Sequence, residues 1–126
     1  MTGSGGVVQG MVQPHITYLH MPHSPVLDEK IAELSGKLLD IQPRITSIHV
    51  VVDELDRHKE QGRLFEVRLD VKAPHAKIVV NHQRHEDPYV AMRRALESAL
   101  RQLTETLDRQ RGQVKRHGNG RDTPLS

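Results

Sequence analysis

An amphipathic helix that begins with an aspartate and a proline is the feature that most constrains the fold of this chain. Asp87 is a good N-cap because its carboxylate can accept hydrogen bonds from unpaired N–H groups of the first turn, and Pro88 suits the first helical position. Apolar residues then recur at steps of three and four: Tyr89, Met92, Leu96, Leu100, Leu103 and Leu107. One face of this helix must therefore pack on a core, and the other face is available for contacts.

The remaining periodic segments predict a second helix and four strands. Ser24 and Pro25 repeat the cap-and-proline pattern before a helix that extends to about residue 40. The last helix is predicted from residue 88 to about residue 111, with Gly112 at its end. Apolar alternation and β-branched residues predict strands over 14–20, 44–53, 64–72 and 77–81.

The resulting β-α-β-β-β-α order defines the fold class. Strands with one apolar and one polar face are typical of a sheet that is covered on one side only. We therefore predict an α+β fold in which a four-stranded sheet carries two helices on one face. The predicted core consists of Ile31, Leu34, Leu38, Ile48, Val50, Val52, Phe65, Val67, Leu69, Tyr89, Met92, Leu96, Leu100 and Leu103.

Length and composition predict a single domain. The 126 residues divide into a flexible leader over 1–12, a folded domain over 13–112 and a flexible basic tail over 113–126. The chain has no cysteine, so it has no disulfide or thiol chemistry, which suits a cytoplasmic protein. No apolar run approaches the ~20 residues of a membrane span, and the N-terminal residues do not resemble a signal peptide.

Nine histidines make a metal site the first chemical hypothesis to weigh. His20 and His23, and likewise His82 and His85, have the spacing of metal ligands. However, the second pair falls in a predicted loop, and a structural zinc site needs four protein ligands. Solvated surface histidines are the better interpretation, and we expect no metal and no cofactor.

The sequence also gives little support for catalysis. No phosphate-binding glycine loop follows a strand, and no nucleophile elbow is present. Glu66 and Asp70 share a strand face, but Arg68 and Lys72 alternate with them, which is typical of cross-strand charge pairing. We therefore expect that the protein is not an enzyme.

The outward face of the last helix allows two interpretations. Glu97–Arg101 and Glu105–Arg109 stand four residues apart in the favourable orientation for ion pairs, which predicts a self-neutralised, solvated face. Arg93 and Arg94 have no acid four residues before them, and together with Arg84 at the helix entrance they could reach a phosphate. The net charge is only +2, so composition alone favours the neutralised face.

The motif around the helix start resembles a known family. Arg84-His85-Glu86-Asp87-x-Tyr89-x-Ala91-Met92, followed by Arg101-Gln102-Leu103, is similar to the signature of ribosome hibernation-promoting factors of the protein Y type. Ile16-Thr17, Ser24 and Ile48-x-Val50-Val51-Val52 agree with the first strand, helix cap and second strand of that family. The resemblance covers about residues 13–111 and agrees with the independently predicted element order.

This resemblance implies a fold like a double-stranded-RNA-binding domain and a role in ribosome hibernation. Such a protein docks on the small ribosomal subunit and its rRNA near the decoding centre and idles ribosomes under stress, in the cytoplasm and as a monomer when free. No DNA or membrane partner is implied, and the chain resembles a short form without the additional C-terminal domain of long members. The rRNA-binding residues implied by resemblance and charge together are Arg84, Arg93, Arg94, Arg101, Arg109, Arg111, Lys72 and Lys77.

The last helix departs from the family pattern at several positions. Ser98, Glu105 and Leu107 occupy places where relatives often carry lysine, whereas Arg93 and Arg94 are additions. The helix is therefore less basic than in the family. This departure leaves an alternative open, in which a domain of the same fold acts as a protein-interaction or stress-adaptor module that does not bind the ribosome.

Overall fold

A computed structural model describes the backbone of residues 12–55 and 62–119, and the side chains as far as Gly112. The elements follow one another in the predicted β-α-β-β-β-α order. They are β1 (His15–Leu19), α1 (Pro25–Ile41), β2 (Ser47–Leu55), β3 (Leu64–Ala73), β4 (Ala76–His85) and α2 (Pro88–Asn119). The predicted leader and the segment 120–126 lie outside the described residues, apart from Val12.

The four strands form one mixed sheet in the order β1-β2-β3-β4. β1 pairs with β2 in parallel, and the other two pairings are antiparallel. A parallel pair requires a crossover connection, which α1 provides, whereas β2, β3 and β4 form a meander. The predicted α+β fold with two helices on a four-stranded sheet is confirmed.

Both helices begin at the caps that the sequence predicts. The Leu27 N–H donates to Ser24 Oγ at 3.2 Å, and the Tyr89 N–H donates to Asp87 Oδ1 at 2.9 Å. Each contact gives a partner to one of the N–H groups that a helix start leaves unpaired. The proline that follows each cap needs no such partner.

The core lies between the two helices and one face of the sheet. Alternate residues of the strands and the apolar stripes of the helices are buried, including Ile31, Leu38, Ile48, Val50, Val52, Phe65, Val67, Leu69, Met92, Leu96 and Leu103. Three fully buried alanines of α2, Ala91, Ala95 and Ala99, add small side chains at steps of four. Because both helices cover the same face, the opposite face of the sheet is left open.

Three members of the predicted core are not fully buried. Leu34 and Leu100 are only partly buried and pack against the margin of the core. Tyr89 is 37% exposed, so its placement in the core was wrong. It belongs to the first turn of α2 and lines an open groove with Val26 and Pro88.

The fourth strand is longer than predicted and includes both histidines assigned to a loop. β4 continues to His85, with one extra residue between its partners for Val67 and Leu69. His82 lies in this bulge with φ 62°. The bulge interrupts the two-residue alternation on which the sequence prediction relied, which explains the early end of the predicted strand.

The prediction that Gly112 ends the last helix is wrong, because α2 continues to Asn119. Among the described glycines only Gly62 has a positive φ, so Gly112 does not adopt the left-handed conformation of a helix C-terminus. A glycine inside a helix costs about 1 kcal/mol relative to alanine, which a long helix can tolerate. None of the described helices has the combination of length and apolarity that a membrane span requires.

Candidate nucleic-acid interface

The outward face of α2 carries arginines that differ in their partners. Arg93 Nη1 donates to Glu97 Oε2 at 3.1 Å, and Arg111 Nη2 donates to Asp108 Oδ1 at 2.6 Å. Arg109 donates to the neutral hydroxyl of Thr106 at 3.3 Å. These three guanidinium groups are therefore held, two of them by carboxylates.

The predicted intrahelical pairs Glu97–Arg101 and Glu105–Arg109 are both wrong. Glu97 instead accepts a hydrogen bond from Arg93, one turn nearer the helix start. Arg109 contacts Thr106 rather than Glu105. Spacing alone allows an acid to pair with a base on either side along a helix, so it could not decide between these partners.

Arg94 and Arg101 are consequently different from their neighbours. Both are exposed, and among the described residues no carboxylate pairs with either of them. They are seven residues apart, which places them on the same side of α2 about 10.5 Å apart along the axis. They form a pair of accessible cations, which we call the α2 arginine pair.

The open face of the sheet carries the other predicted cations. Lys72 of β3 and Lys77 of β4 are partners in the strand register and are both exposed. Arg84 lies farther along β4, opposite Glu66, and its Nε donates to Glu66 Oε2 at 3.0 Å. Because α2 packs on the covered face of the sheet, the eight predicted residues fall into two groups on opposite sides of the domain.

The C-terminal part of α2 contacts the β3–β4 turn. Gln110 of α2 donates to the carbonyl oxygen of His75 at 3.4 Å. This contact places the C-terminal arginines of the predicted set, Arg109 and Arg111, at the same end of the domain as Lys72 and Lys77. Arg84 and Arg93 lie towards the other end, near the start of α2.

Glu66 organises a charged cluster on the open face that the sequence only partly predicts. Its side chain is 5% exposed and accepts hydrogen bonds from Arg68 at 2.7 Å, Arg84 at 3.0 Å and His82 at 3.1 Å. Burial by itself raises the pKa of the Glu66 carboxyl, but the hydrogen bonds from these three groups outweigh it and leave that pKa lowered. Cross-strand charge pairing was predicted here, and the Glu66–Arg84 pair confirms it.

A second buried carboxylate lies beside the first. Asp53 of β2 is opposite Glu66 in the register, and its side chain is 11% exposed. His20 Nδ1 lies 2.8 Å from Asp53 Oδ1, and Arg68 Nη1 lies 3.9 Å from Asp53 Oδ2. Arg68 thus stands between the two carboxylates. We call Asp53, Glu66, His20, His82, Arg68 and Arg84 together the sheet-face network.

The sequence predicts solvated surface histidines, but three of them contact carboxylates. His20 and His82 each contact a buried carboxylate, and His23 Nε2 contacts Asp28. For His20 and His82, the signal that could have identified them is the position of Asp53 and Glu66 within β-strands, where a buried charge needs a partner. Within the described ranges no three histidine or carboxylate side chains are grouped so as to hold a metal ion.

A groove lies beside the start of both helices. It has a volume of about 500 Å³ and is lined mainly by apolar groups such as Met21, Phe65 and Tyr89, with Glu86 and Asp87 at its margin. The pKa of Tyr18, close to this region, is raised because its hydroxyl is buried and donates to Asp28. None of these features brings a nucleophile and a base together.

The described features define a class of protein, a small mixed α+β domain with two helices on a sheet whose other face is open and charged. The comparison with protein families then makes the class specific. Residues 15–111 match the family described as Sigma 54 modulation protein / S30EA ribosomal protein, and this chain belongs to that family. The resemblance to hibernation-promoting factors that the sequence indicated is thereby confirmed.

Solved structures agree on the fold. A structure titled as a ribosomal subunit interface protein from Coxiella burnetii is 19% identical, with a TM-score of 0.61, covering 75% of this chain and 98% of that one. The N-terminal domain of Thermus thermophilus Protein Y is 14% identical, with a TM-score of 0.58 and the same coverage. A comparison with curated proteins gives no match.

Proposed function

We propose that this protein is a ribosome-associated translation inhibitor that binds rRNA of the small ribosomal subunit near the decoding centre and idles ribosomes under stress. The observation that carries the proposal is the α2 arginine pair, Arg94 and Arg101, within a family of ribosomal proteins. One structural neighbour is titled as a ribosomal subunit interface protein, which supports the same assignment.

The physical argument starts from the availability of charge. A phosphate group is bound by displacement of its counterions, so a cation already neutralised by a carboxylate contributes less than one that is not. RNA duplexes are recognised mostly through phosphates, 2′-hydroxyls and shape, which requires spaced cations on a rigid support rather than a pocket. Arg94 and Arg101 meet that requirement, and a helix fixed on a fully buried core supplies the support.

The remaining predicted residues are assigned secondary roles in this proposal. Arg109 and Arg111 extend the arginine face of α2, and Arg93 can join it by exchanging Glu97 for a phosphate. Lys72, Lys77 and Arg84 lie on the opposite face and would meet a different part of the rRNA. We propose in addition that the protein acts without a cofactor, in the cytoplasm, and is a monomer when free.

Co-sedimentation with ribosomes on a sucrose gradient tests the proposal. The wild-type protein should migrate with the small subunit or whole ribosomes at low salt and be released as salt rises. Arg94→Glu/Arg101→Glu should remain folded and stay at the top of the gradient. The matched control is Lys37→Glu/Arg44→Glu, which changes the net charge equally at two exposed positions on and beside α1.

The outcomes separate three interpretations. Loss of binding in the α2 variant and retention in the control supports an rRNA contact at the α2 arginine pair. Equal loss in both variants indicates attraction by net charge alone and would refute these residues as a site. If the wild-type protein never co-sediments, the alternative of a protein-interaction or stress-adaptor domain is favoured.

A further inference from the structure

Two histidines on the open sheet face share an unusual set of properties. His20 and His82 have φ values of 61° and 62°, a left-handed conformation that residues other than glycine adopt uncommonly. Their side chains are 74% and 75% exposed. In each, Nδ1 contacts a carboxylate that is itself almost completely buried: Asp53 for His20 and Glu66 for His82. The same histidine–carboxylate contact thus occurs on both sides of Arg68.

This arrangement decides which ring nitrogen is available to a ligand. A carboxylate accepts hydrogen bonds, so Nδ1 carries a hydrogen in the neutral ring as well as in the charged ring. Among the described residues nothing bonds to Nε2 of His20 or His82. Nε2 is therefore an acceptor in the neutral ring, which repels a phosphate oxygen, and a donor in the protonated ring, which binds one.

The charge of the network follows the same change. With both histidines neutral, Asp53 and Glu66 balance Arg68 and Arg84. With both histidines protonated, the network carries two additional positive charges. Histidine is the side chain whose ordinary titration falls between about pH 5 and pH 8, so this is the pH range in which the network is tested.

Other charged groups on the open face do not reproduce the arrangement. His15 of β1 and His49 of β2 contact each other at 2.6 Å between ring nitrogens, with Asp70 of β3 next in the register. Lys72 of β3 and Lys77 of β4 are partners in the register beside the β3–β4 turn. His20 contacts Asp53, and His82 contacts Glu66. The other charged groups at these carboxylates are Arg68, which lies near both, and Arg84, which contacts Glu66.

We propose that the sheet-face network is a second RNA-binding surface, which binds the phosphate backbone when His20 and His82 are protonated. The inference rests on the proposed function for its choice of RNA as the partner. The network extends from His20, the residue after β1, across β2 and β3 to β4, and four strands span about 14 Å at ~4.8 Å spacing. That distance exceeds the size of one phosphate group, so the surface fits a chain of phosphates rather than a free anion.

Asp53 and Glu66 are positioning residues in this proposal. Each holds a histidine ring by Nδ1 and turns Nε2 towards the solvent, and Glu66 also fixes Arg68 and Arg84 on either side. Removal of the negative charge of Glu66 would by simple electrostatics strengthen binding to a polyanion. Loss of the orientation of the histidine ring would instead reduce the increase in RNA affinity at low pH. A purely electrostatic role and a positioning role of Glu66 therefore predict effects of opposite sign.

The test measures RNA affinity of the full chain at about pH 5.5 and about pH 8, on either side of ordinary histidine titration. The probe is a structured RNA hairpin with a single-stranded extension, and inorganic phosphate is titrated separately. The principal variant is His20→Asn/His82→Asn, because asparagine tolerates the left-handed conformation but does not titrate. The matched control is His23→Asn/His75→Asn, which also removes two exposed histidines and includes one with φ 63°.

We expect the wild-type protein to bind RNA roughly tenfold more tightly at the lower pH, with a salt slope steeper by about 0.7 per added phosphate contact. The control should keep this gain, and His20→Asn/His82→Asn should lose most of it. Glu66→Gln should reduce the gain as well. Thermal unfolding of each variant verifies the fold, and if the double variant unfolds, each single asparagine variant should remove about half of the gain.

Several results would overturn the proposal. A full pH gain in the double histidine variant would refute it, as would tighter binding by Glu66→Gln at both pH values. Competition by inorganic phosphate at a concentration equal to that of the RNA phosphates would indicate a site for one anion only. Failure of the proposed function looks different, because Arg94→Glu/Arg101→Glu would then retain RNA binding at both pH values.

Discussion

The two exposed faces of this domain hold their cations in opposite ways. On α2 the arginines lie on a solvated helix surface, where Arg94 and Arg101 lack a described carboxylate partner and Arg93 has an exposed one. On the open sheet face Arg68 and Arg84 converge on Glu66, whose side chain is 5% exposed. The first face offers solvated charge, and the second offers charge that hydrogen bonds to a buried carboxylate orient.

The difference indicates how each face responds to its surroundings. Exposed charges on a helix are screened by salt and respond little to pH, because arginine does not titrate in the ordinary range. The sheet-face network contains buried carboxylates and histidines, so its charge depends on pH and its integrity on folding. The two surfaces carry a similar number of cations. We nevertheless expect salt to have the main effect on the charge of the α2 face, and pH to have the main effect on the charge of the open sheet face.

The largest expected effect comes from the core that both faces share. Leu96 of α2 is 3% exposed and belongs to the core cluster between that helix and the sheet. Leu96→Ala should lower the free energy of unfolding by about 2–5 kcal/mol. Urea denaturation followed by circular dichroism measures the loss, and hydrogen exchange should show faster exchange in both α2 and β3. Destabilisation confined to α2 would contradict a single cooperative core.

Removal of the central carboxylate should have an intermediate effect. Glu66→Gln removes the charged acceptor of Arg84 and His82 and leaves Arg68 with Asp53 alone, at 3.9 Å. A hydrogen bond to a charged group contributes about 1.5–3 kcal/mol. Because the arginines are partly solvated, we expect a loss of about 1–2 kcal/mol, at the low end of that range. The matched control Glu97→Gln on α2 should change stability by less than about 0.5 kcal/mol. Equal effects of the two substitutions would remove the contrast between the faces.

The sequence predicted the architecture well because the covered side of the sheet obeys simple periodicity. Ile48, Val50 and Val52 alternate as a half-buried strand should, and Ser24 and Asp87 begin their helices as predicted. The open side was harder to predict. Glu66 and Asp53 are buried by neighbouring side chains from other strands, and no spacing within one strand reveals which partners those strands bring.

The failures have the same physical origin. The sequence predicts a loop at His82 because a bulge displaces the alternation of β4 by one residue. Arg101 was assigned a partner by spacing, but Arg93 contacts the same carboxylate. Tyr89 fits the apolar stripe of α2, yet it lies beyond the end of the covered surface. Periodicity along one element cannot show where a neighbouring element ends.

Lowering the pH should change the free energy of unfolding by a smaller amount, and the two faces should differ in this change. The folded-state pKa of Glu66 lies below its ordinary value of 4.5, so the ionised carboxylate stabilises the fold above that value. This contribution decreases as the pH falls below 4.5 and is lost once the pH passes below the lowered value. Unfolding in urea from about pH 7 to about pH 3 should therefore show a smaller decrease for Glu66→Gln than for the wild type. Glu97→Gln should follow the wild-type curve, and a curve parallel to wild type for Glu66→Gln would contradict the assignment.

The smallest expected effect concerns the Arg93–Glu97 pair. Its side chains are 41% and 57% exposed and four residues apart, with the base on the N-terminal side, which is the less favourable orientation. A double-mutant cycle of Arg93→Gln and Glu97→Gln should give a coupling of about 0.3 kcal/mol, and less at high salt. So weak a pair can separate when a phosphate approaches, which is the behaviour that the proposed role of Arg93 requires. A coupling above about 1 kcal/mol, beyond the usual range for exposed pairs, would show Arg93 to be fixed and would exclude it from the phosphate-binding set.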